Sequence, residues 1–161
     1  MAGGVLKNCK ISINGDNNVI EIAENVHIID RDFCIEDSNN KIFINEKSNL
    51  CGKIHLAVTE GTEIRIGKEC LFSSEIVFRT GDSHSILDME GNRINFAKNI
   101  VVGDKVWIGH RVLVTKNVVL PKGTIVRTGA VVTRSFDEEN IVIAGNPAKI
   151  IKENVQWKHE R

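Results

Sequence analysis

From Val102 onward the sequence runs in sixes: VGDKVW, IGHRVL, VTKNVV, LPKGTI, VRTGAV and VTRSF. The first place of each six holds Val102, Ile108, Val114, Leu120, Val126 and Val132, and the fifth holds Val106, Val112, Val118, Thr124, Ala130 and Phe136. Eleven of these twelve are apolar, Thr124 being the exception. An apolar stripe that returns every six residues cannot follow one face of an α-helix, whose repeat is near 3.6. It fits a short strand, a turn, and a new strand rotated by a third. Three sixes then close one triangular coil, and coils stack in parallel register so that each buries its neighbour's face. Aliphatic β-branched side chains suit the inward places, because they pack in ladders on a pleated surface.

Upstream the unit is longer. Ile20, Ile42 and Ile64 are spaced by 22, as are Ile22, Ile44 and Ile66, and a polar turn (GDNN, DSNN, EGTE) sits ahead of each set. The sixes continue inside each unit as Ile22, Ile28, Cys34, then Ile44, Leu50, Leu56, then Ile66, Phe72, Phe78. Each unit is therefore three sixes plus a four-residue polar insertion. This spacing places Cys34 and Cys70 in the core, and it leaves Asp32 as the one charged residue at an inward place. An all-β helix domain is expected over 1–146. The tail 147–161, with Ala148, Ile150, Ile151 and Val155 apolar, reads as a short helix covering the open end of the stack.

The repeat breaks once. After Phe78 the next inward place falls on His84, and the sixes resume only at Val102. Residues 81–99, GDSHSILDMEGNRINFAKN, are accordingly read as a loop thrown outward from the coil. A loop of this length in a compact domain is commonly functional, and loops on rigid scaffolds are where chemistry gathers. It carries His84, Asp82, Asp88, Arg93 and Asn95.

Composition narrows the classes. Lys and Arg number 21 and Asp and Glu 21, giving a formal net charge of 0, so no excess of cations points to nucleic acid. An anionic ligand must be met by a local patch. There is no apolar run of the roughly 18 residues a membrane span needs, and no charged-then-apolar leader at the N-terminus. Cys9, Cys34, Cys51 and Cys70 form no CxxC pair. Free thiols in a reducing cytoplasm are the expected state.

Three segments, RTGDSHSILD, INFAKNIVVGDKVWIGHRVLVTKNVVLPKGTIVRTGAVVT and IVIAGNPAKIIKENVQW, resemble the hexapeptide-repeat acyltransferases. The likeness is nearest to the O-acetyltransferases of capsular polysaccharide, including polysialic acid. The C-terminal half carries it closely, while the N-terminal half shares architecture alone. The resemblance implies a left-handed coil, an exception to the right-handed rule for parallel crossovers. It further implies a homotrimer and acetyl-CoA as the acyl donor, with no metal. The five histidines at 27, 55, 84, 110 and 159 include no pair five apart, the spacing found in the zinc carbonic anhydrases of the same fold. They also offer no convergent set of ligands.

The resemblance makes His84 the catalytic base that takes the proton of a sugar hydroxyl as it attacks. A neutral imidazole can do this near neutral pH. Trp107, at an outward place in VWIG, is implied to orient the thioester or stabilise the oxyanion. Gly109, Thr128, Gly129, Ala130, Asn146 and Pro147 match positions that line the pantetheine channel. Arg134 matches a basic residue that approaches a CoA phosphate, and Lys149 and Lys152 are read as further coenzyme contacts or equally as a solvated helix face. RTGA stands where the family more often has GAGS, so Ala130 lacks a hydroxyl. His110 points outward by its place and is read as lining the coenzyme or a subunit interface, or else as a plain exposed histidine. Asp82 or Asp88 would orient His84, or else be solvated loop charges. Arg93 would meet an anionic sugar carboxylate. The expected reaction is direct acetyl transfer to a glycan hydroxyl, since no GxSxG-type nucleophile is present. Transfer to an amino sugar, transfer to a small hydroxyl compound, and a silent scaffold stand as alternatives that the fold does not separate.

Overall fold

The computed structural model describes residues 3–160. It is a left-handed parallel β-helix of about six turns. The first turn holds β1 (Val5–Asn14) and β2 (Val19–Ile22), and the second β3 (His27–Glu36) and β4 (Lys41–Ile44). The third is β5 (Asn49–Leu50), β6 (Ile54–Val58) and β7 (Glu63–Ile66). The fourth is β8 (Leu71–Phe72), β9 (Ile76–Arg79) and β10 (Ile100–Val102). The fifth is β11 (Trp107–Ile108), β12 (Leu113–Val114) and β13 (Val119–Leu120). The sixth holds β14 (Ile125–Val126) and β15 (Val131–Val132), and β16 (Val142–Ala144) returns to lie over β14 on the next rung, followed by β17 (Lys149–Lys152).

The strands form a triangular prism. The first face stacks β5, β8, β11, β14 and β16, and the second stacks β6, β9, β12 and β15. The long strands β1 and β3 bend round the edge between these two faces. The third face is a separate five-stranded sheet of β2, β4, β7, β10 and β13.

Inward side chains form vertical ladders. On the first face Ile28, Leu50, Phe72, Ile108, Val126 and Ile143 lie in register. On the second, Phe33, Leu56, Phe78, Val114 and Val132 do the same. On the third, Ile44, Ile66, Val102 and Leu120 are aligned. All are buried, and Phe72 stacks on Phe78 with centroids 5.7 Å apart. Removal of this surface from water is the main source of stability. The polar insertions form a second kind of ladder at the edge between the second and third faces. Asn40, fully buried, accepts the Thr62 amide at 3.1 Å, and the Thr62 hydroxyl donates to Thr80 Oγ1 at 2.6 Å.

Two expectations are corrected here. The first is the register of β3. β1 and β3 pass their edge through Asn8 and Asp30, both left-handed (φ 53° and 60°). The third turn uses a longer turn there, through Gly52. His27 therefore pairs with Asn49, 22 residues on, whereas Arg31 pairs with Ile54, 23 residues on. The slip of one turns Phe33 and Ile35 inward and Cys34 outward, so Cys34 is half-buried rather than a core residue. Asp32 also faces outward and meets His55 Nδ1 at 3.0 Å. The inward charged residue is Arg31, 2% exposed. Its Nη1 donates to Ile29 O at 2.6 Å, but Nε and Nη2 have no partner among the described residues, and burial pushes its pKa down to about 10.

The second correction is the tail. No helix occurs among the described residues. Instead β17 pairs antiparallel with β16, Ile150 opposite Ile143. A helix would leave the last strand's edge groups unpaired, whereas one reversed strand satisfies them. Ala148 and Ile150 still reach the core as the apolar pattern expects. At the other end Leu6, Ile11 and Ile13, the inward rungs of the first turn, are more than half exposed.

Candidate functional site

The outward loop springs from the edge between the second and third faces, where other turns spend about four residues. Its neck is closed by Lys98 N donating to Thr80 O at 2.8 Å, and Asn99 Oδ1 accepts the Glu63 amide at 2.9 Å. Within it a small hairpin forms, with Leu87 bridged to Arg93 and Ile94 N donating to Ile86 O at 2.9 Å.

The base of the loop is locked by one buried amide. Asn95 accepts from Ile86 N at 2.7 Å and donates from Nδ2 to Asp82 Oδ2 and to the His84 carbonyl, each at 2.8 Å. Lys116, from the same edge one turn on, donates to Asp82 at 2.5 Å and to Asn95 O at 2.9 Å. The Lys116 ammonium, and then the Asn95 amide, hold the Asp82 carboxyl below its ordinary range. Glu60 pins the far strand by accepting from Ala97 N at 2.9 Å and from Arg93.

His84 is thus held at its backbone while its imidazole is exposed and makes no hydrogen bond or ion pair among the described residues. Neither carboxylate weighed as its partner contacts the ring. Asp82 reaches His84 only through Asn95. Asp88 caps its own turn, accepting from Glu90 N at 2.9 Å and Asn92 N at 2.8 Å. Arg93 is paired with Glu60 and stacks over Phe96 at 5.0 Å. Beneath the loop a cavity of about 520 Å³ is lined by Ile86, Ile94, Phe96, Lys98, Lys116 and Thr133.

A second cluster lies at the edge between the first and second faces. Trp107 stands outward on β11, 40% exposed. It borders a groove of about 440 Å³ with Gly109, Ile125, Arg127, Thr128 and Val142. Gly109 is glycine for a steric reason, since a Cβ there would stand 2.8 Å from the Thr128 amide of the next turn. Gly129 occupies the left-handed region at φ 74°. Asn146 and Pro147 continue the same edge and are exposed. Ala130 is fully buried, so only its backbone belongs to this edge. His110 Nδ1 lies 2.9 Å from Ser74 O, and its Nε2 lies 3.9 Å from Glu75. Arg134 sits apart, at the edge of the loop, with its guanidinium 5.2 Å over Phe136. Lys149 and Lys152 are exposed on β17.

Within one chain, then, the loop and the groove occupy different edges of the prism. The sequence reading overlooked Lys116, Glu60 and Trp157. Trp157 packs on Trp107 with centroids 6.1 Å apart and donates Nε1–H to Lys105 O at 2.7 Å. No local pattern marks these residues, because each acts on a partner 33 to 52 positions away. Among the described residues no cluster of three His, Cys, Asp or Glu side chains is placed to hold a metal, and no helix is long and apolar enough to cross a membrane.

No protein-family model matches the chain. It is 32% identical over 169 residues to the polysialic acid O-acetyltransferase of Neisseria meningitidis, covering 92% of this chain and 79% of that one. It is 35% identical over 124 residues to the polysialic acid O-acetyltransferase of Escherichia coli O1:K1, covering 76% of this chain but 40% of the relative, so it spans less than half of that protein's length. Among solved structures it superposes on the polysialic acid O-acetyltransferase OatWY with a TM-score of 0.76 at 29% identity, covering 98% of this chain and 90% of that one.

Proposed function

The chain belongs to the hexapeptide-repeat acetyltransferases, near the capsular O-acetyltransferases, and from that position we propose that it moves the acetyl group of acetyl-CoA to a hydroxyl of a surface or capsular glycan, with His84 as general base. The observation that carries this reading is the His84 imidazole, exposed and free of partners, on a loop whose base is fixed by Asn95. A base that must meet an incoming hydroxyl needs an open ring and a fixed backbone.

In the proposed step the ring nitrogen takes the hydroxyl proton as the oxygen attacks the thioester carbon. The tetrahedral oxyanion is held by N–H donors beside Trp107, the carbon–sulfur bond breaks, and the proton passes from His84 to the departing thiolate. The groove beside Trp107 takes the pantetheine arm. Lys149 and Lys152 lie toward the C-terminal end, where phosphates need cations, and Arg134, on the loop edge, would reach a phosphate of coenzyme held by a neighbouring copy. Since loop and groove sit on different edges of one chain, the site is completed by a neighbouring copy, and a homotrimer accommodates this. Cys9, Cys34, Cys51 and Cys70 are all free thiols, in keeping with work in the cytoplasm. Arg93, Asp82 and Asp88 bound the acceptor side of the loop.

The test is thiol release from acetyl-CoA against a panel of capsular oligosaccharides, sialylated ones included. His84→Ala is expected to lower kcat by about a hundredfold or more, with circular dichroism and melting temperature unchanged. Unchanged turnover in a folded variant overturns the reading.

A further inference from the structure

Trp157 lies in the irregular tail after β17, which is tied to the prism by Val155 N donating to Asn140 O at 2.9 Å. Its indole is half-buried and is fixed at both ends. Nε1–H donates to Lys105 O at 2.7 Å, two residues before Trp107, and the ring packs tilted on Trp107 at 6.1 Å and 48°. The His159 ring also stands 4.9 Å from it. Trp107 is on a two-residue strand, with its side chain outward and 40% exposed. Its own turn gives that ring little to lean on, because strand neighbours Leu71 and Ile125 flank it only from the turns above and below.

We propose that Trp157 is a positioning residue for acetyl transfer: it clamps the Trp107 ring in one orientation at the lip of the donor groove. This rests on the role given to Trp107 above. Aromatic pairs are held by geometry as well as by area, and a side chain that must aim at a developing charge gains from being fixed beforehand. The hydrogen bond to Lys105 matters because it anchors the clamp to the corner from which Trp107 itself departs, so ring and clamp move together.

The chain has two tryptophans, 107 and 157, so replacing one leaves the other as the sole indole fluorophore. In Trp157→Ala, emission from Trp107 is expected to shift red and its quenching by acrylamide to rise at least twofold. The value of kcat is expected to fall about threefold to tenfold, in line with the loss of one aromatic pair, while KM for the acceptor stays within twofold. Trp157→Phe keeps a ring without the N–H donor and is expected to recover part of both signals. It also serves where the alanine variant folds poorly. In a Trp107→Phe background, Trp157→Ala should add little further loss, because the two act as one unit. Wild-type kcat in Trp157→Ala, unaltered Trp107 quenching, or fully additive losses in the double variant each overturn the proposal. A wild-type protein that releases no thiol with any acceptor overturns instead the acetyltransferase reading, and the fluorescence still reports whether the clamp exists.

Discussion

Asn95 donates one side-chain amide both to the backbone carbonyl of His84 and to the carboxylate of Asp82, each at 2.8 Å. The histidine eleven positions earlier is therefore placed through its main chain, and its ring is left exposed. Replacing Asn95 by alanine removes the tie without touching the imidazole. We expect kcat to fall between about tenfold and a hundredfold, the scale of a misplacement near 1 Å. Steady-state kinetics with saturating donor checks this, and wild-type kcat would show that the loop holds itself.

Asp82 carries the pH signature of the same lock. Its carboxyl lies below the ordinary range, chiefly through Lys116 and then Asn95. A depressed folded-state value means stability that is present above the unfolded pKa of about 4 and is lost as pH falls through the lower folded value. The carbon-13 resonance of Asp82 should titrate with a midpoint lower than that of an exposed aspartate. In Lys116→Met that midpoint should rise. Thermal melts of wild type and Asp82→Asn should differ at pH 7 and converge near pH 2.

Arg31 is a buried cation with two nitrogen atoms that have no partner among the described residues. Replacing a buried ion pair by well-packed apolar residues is often neutral or stabilising by about 1–4 kcal/mol, and a buried cation without a counter-ion carries the desolvation cost without the pair's attraction. Arg31→Met is expected to raise the melting temperature in differential scanning calorimetry. A fall would mean that its bonds to Ile29 O and Asp30 O outweigh the desolvation.

The four thiols should separate by accessibility. Cys51 is exposed, whereas burial pushes the Cys70 thiol up to about 12 and also raises that of Cys34. Treatment of the native protein with a chromogenic disulfide at pH 8 should label Cys51 rapidly and Cys70 only on unfolding, as read by peptide mass spectrometry. Rapid labelling of Cys70 would contradict the packing of that corner.

The prism was legible in the sequence because its interior tolerates little but apolar rungs. Val102 to Val132 announce three faces by spacing alone, and the empty place at His84 announces the loop. Legibility failed where geometry rests on one residue or on a distant partner. One fewer residue at the Asp30 corner shifts Phe33 and Cys34 past each other, and no spacing rule counts the residues of a corner. The tail KIIK pairs as a strand because β16 offers an open edge, which is a property of the neighbour and not of those four residues. The partners of Asp82 and Arg93 could not be read because Lys116 and Glu60 come from other turns.

The reversed direction of β17 has a consequence for assembly. Parallel turns stacked in register can in principle accept another turn without limit, which is the geometry of a growing fibre. By running backwards, β17 breaks the parallel register of the column and places Lys149 and Lys152 at the two ends of its last strand. On the first face a further parallel turn therefore cannot add directly to β16, whose edge is already taken with Ile150 opposite Ile143.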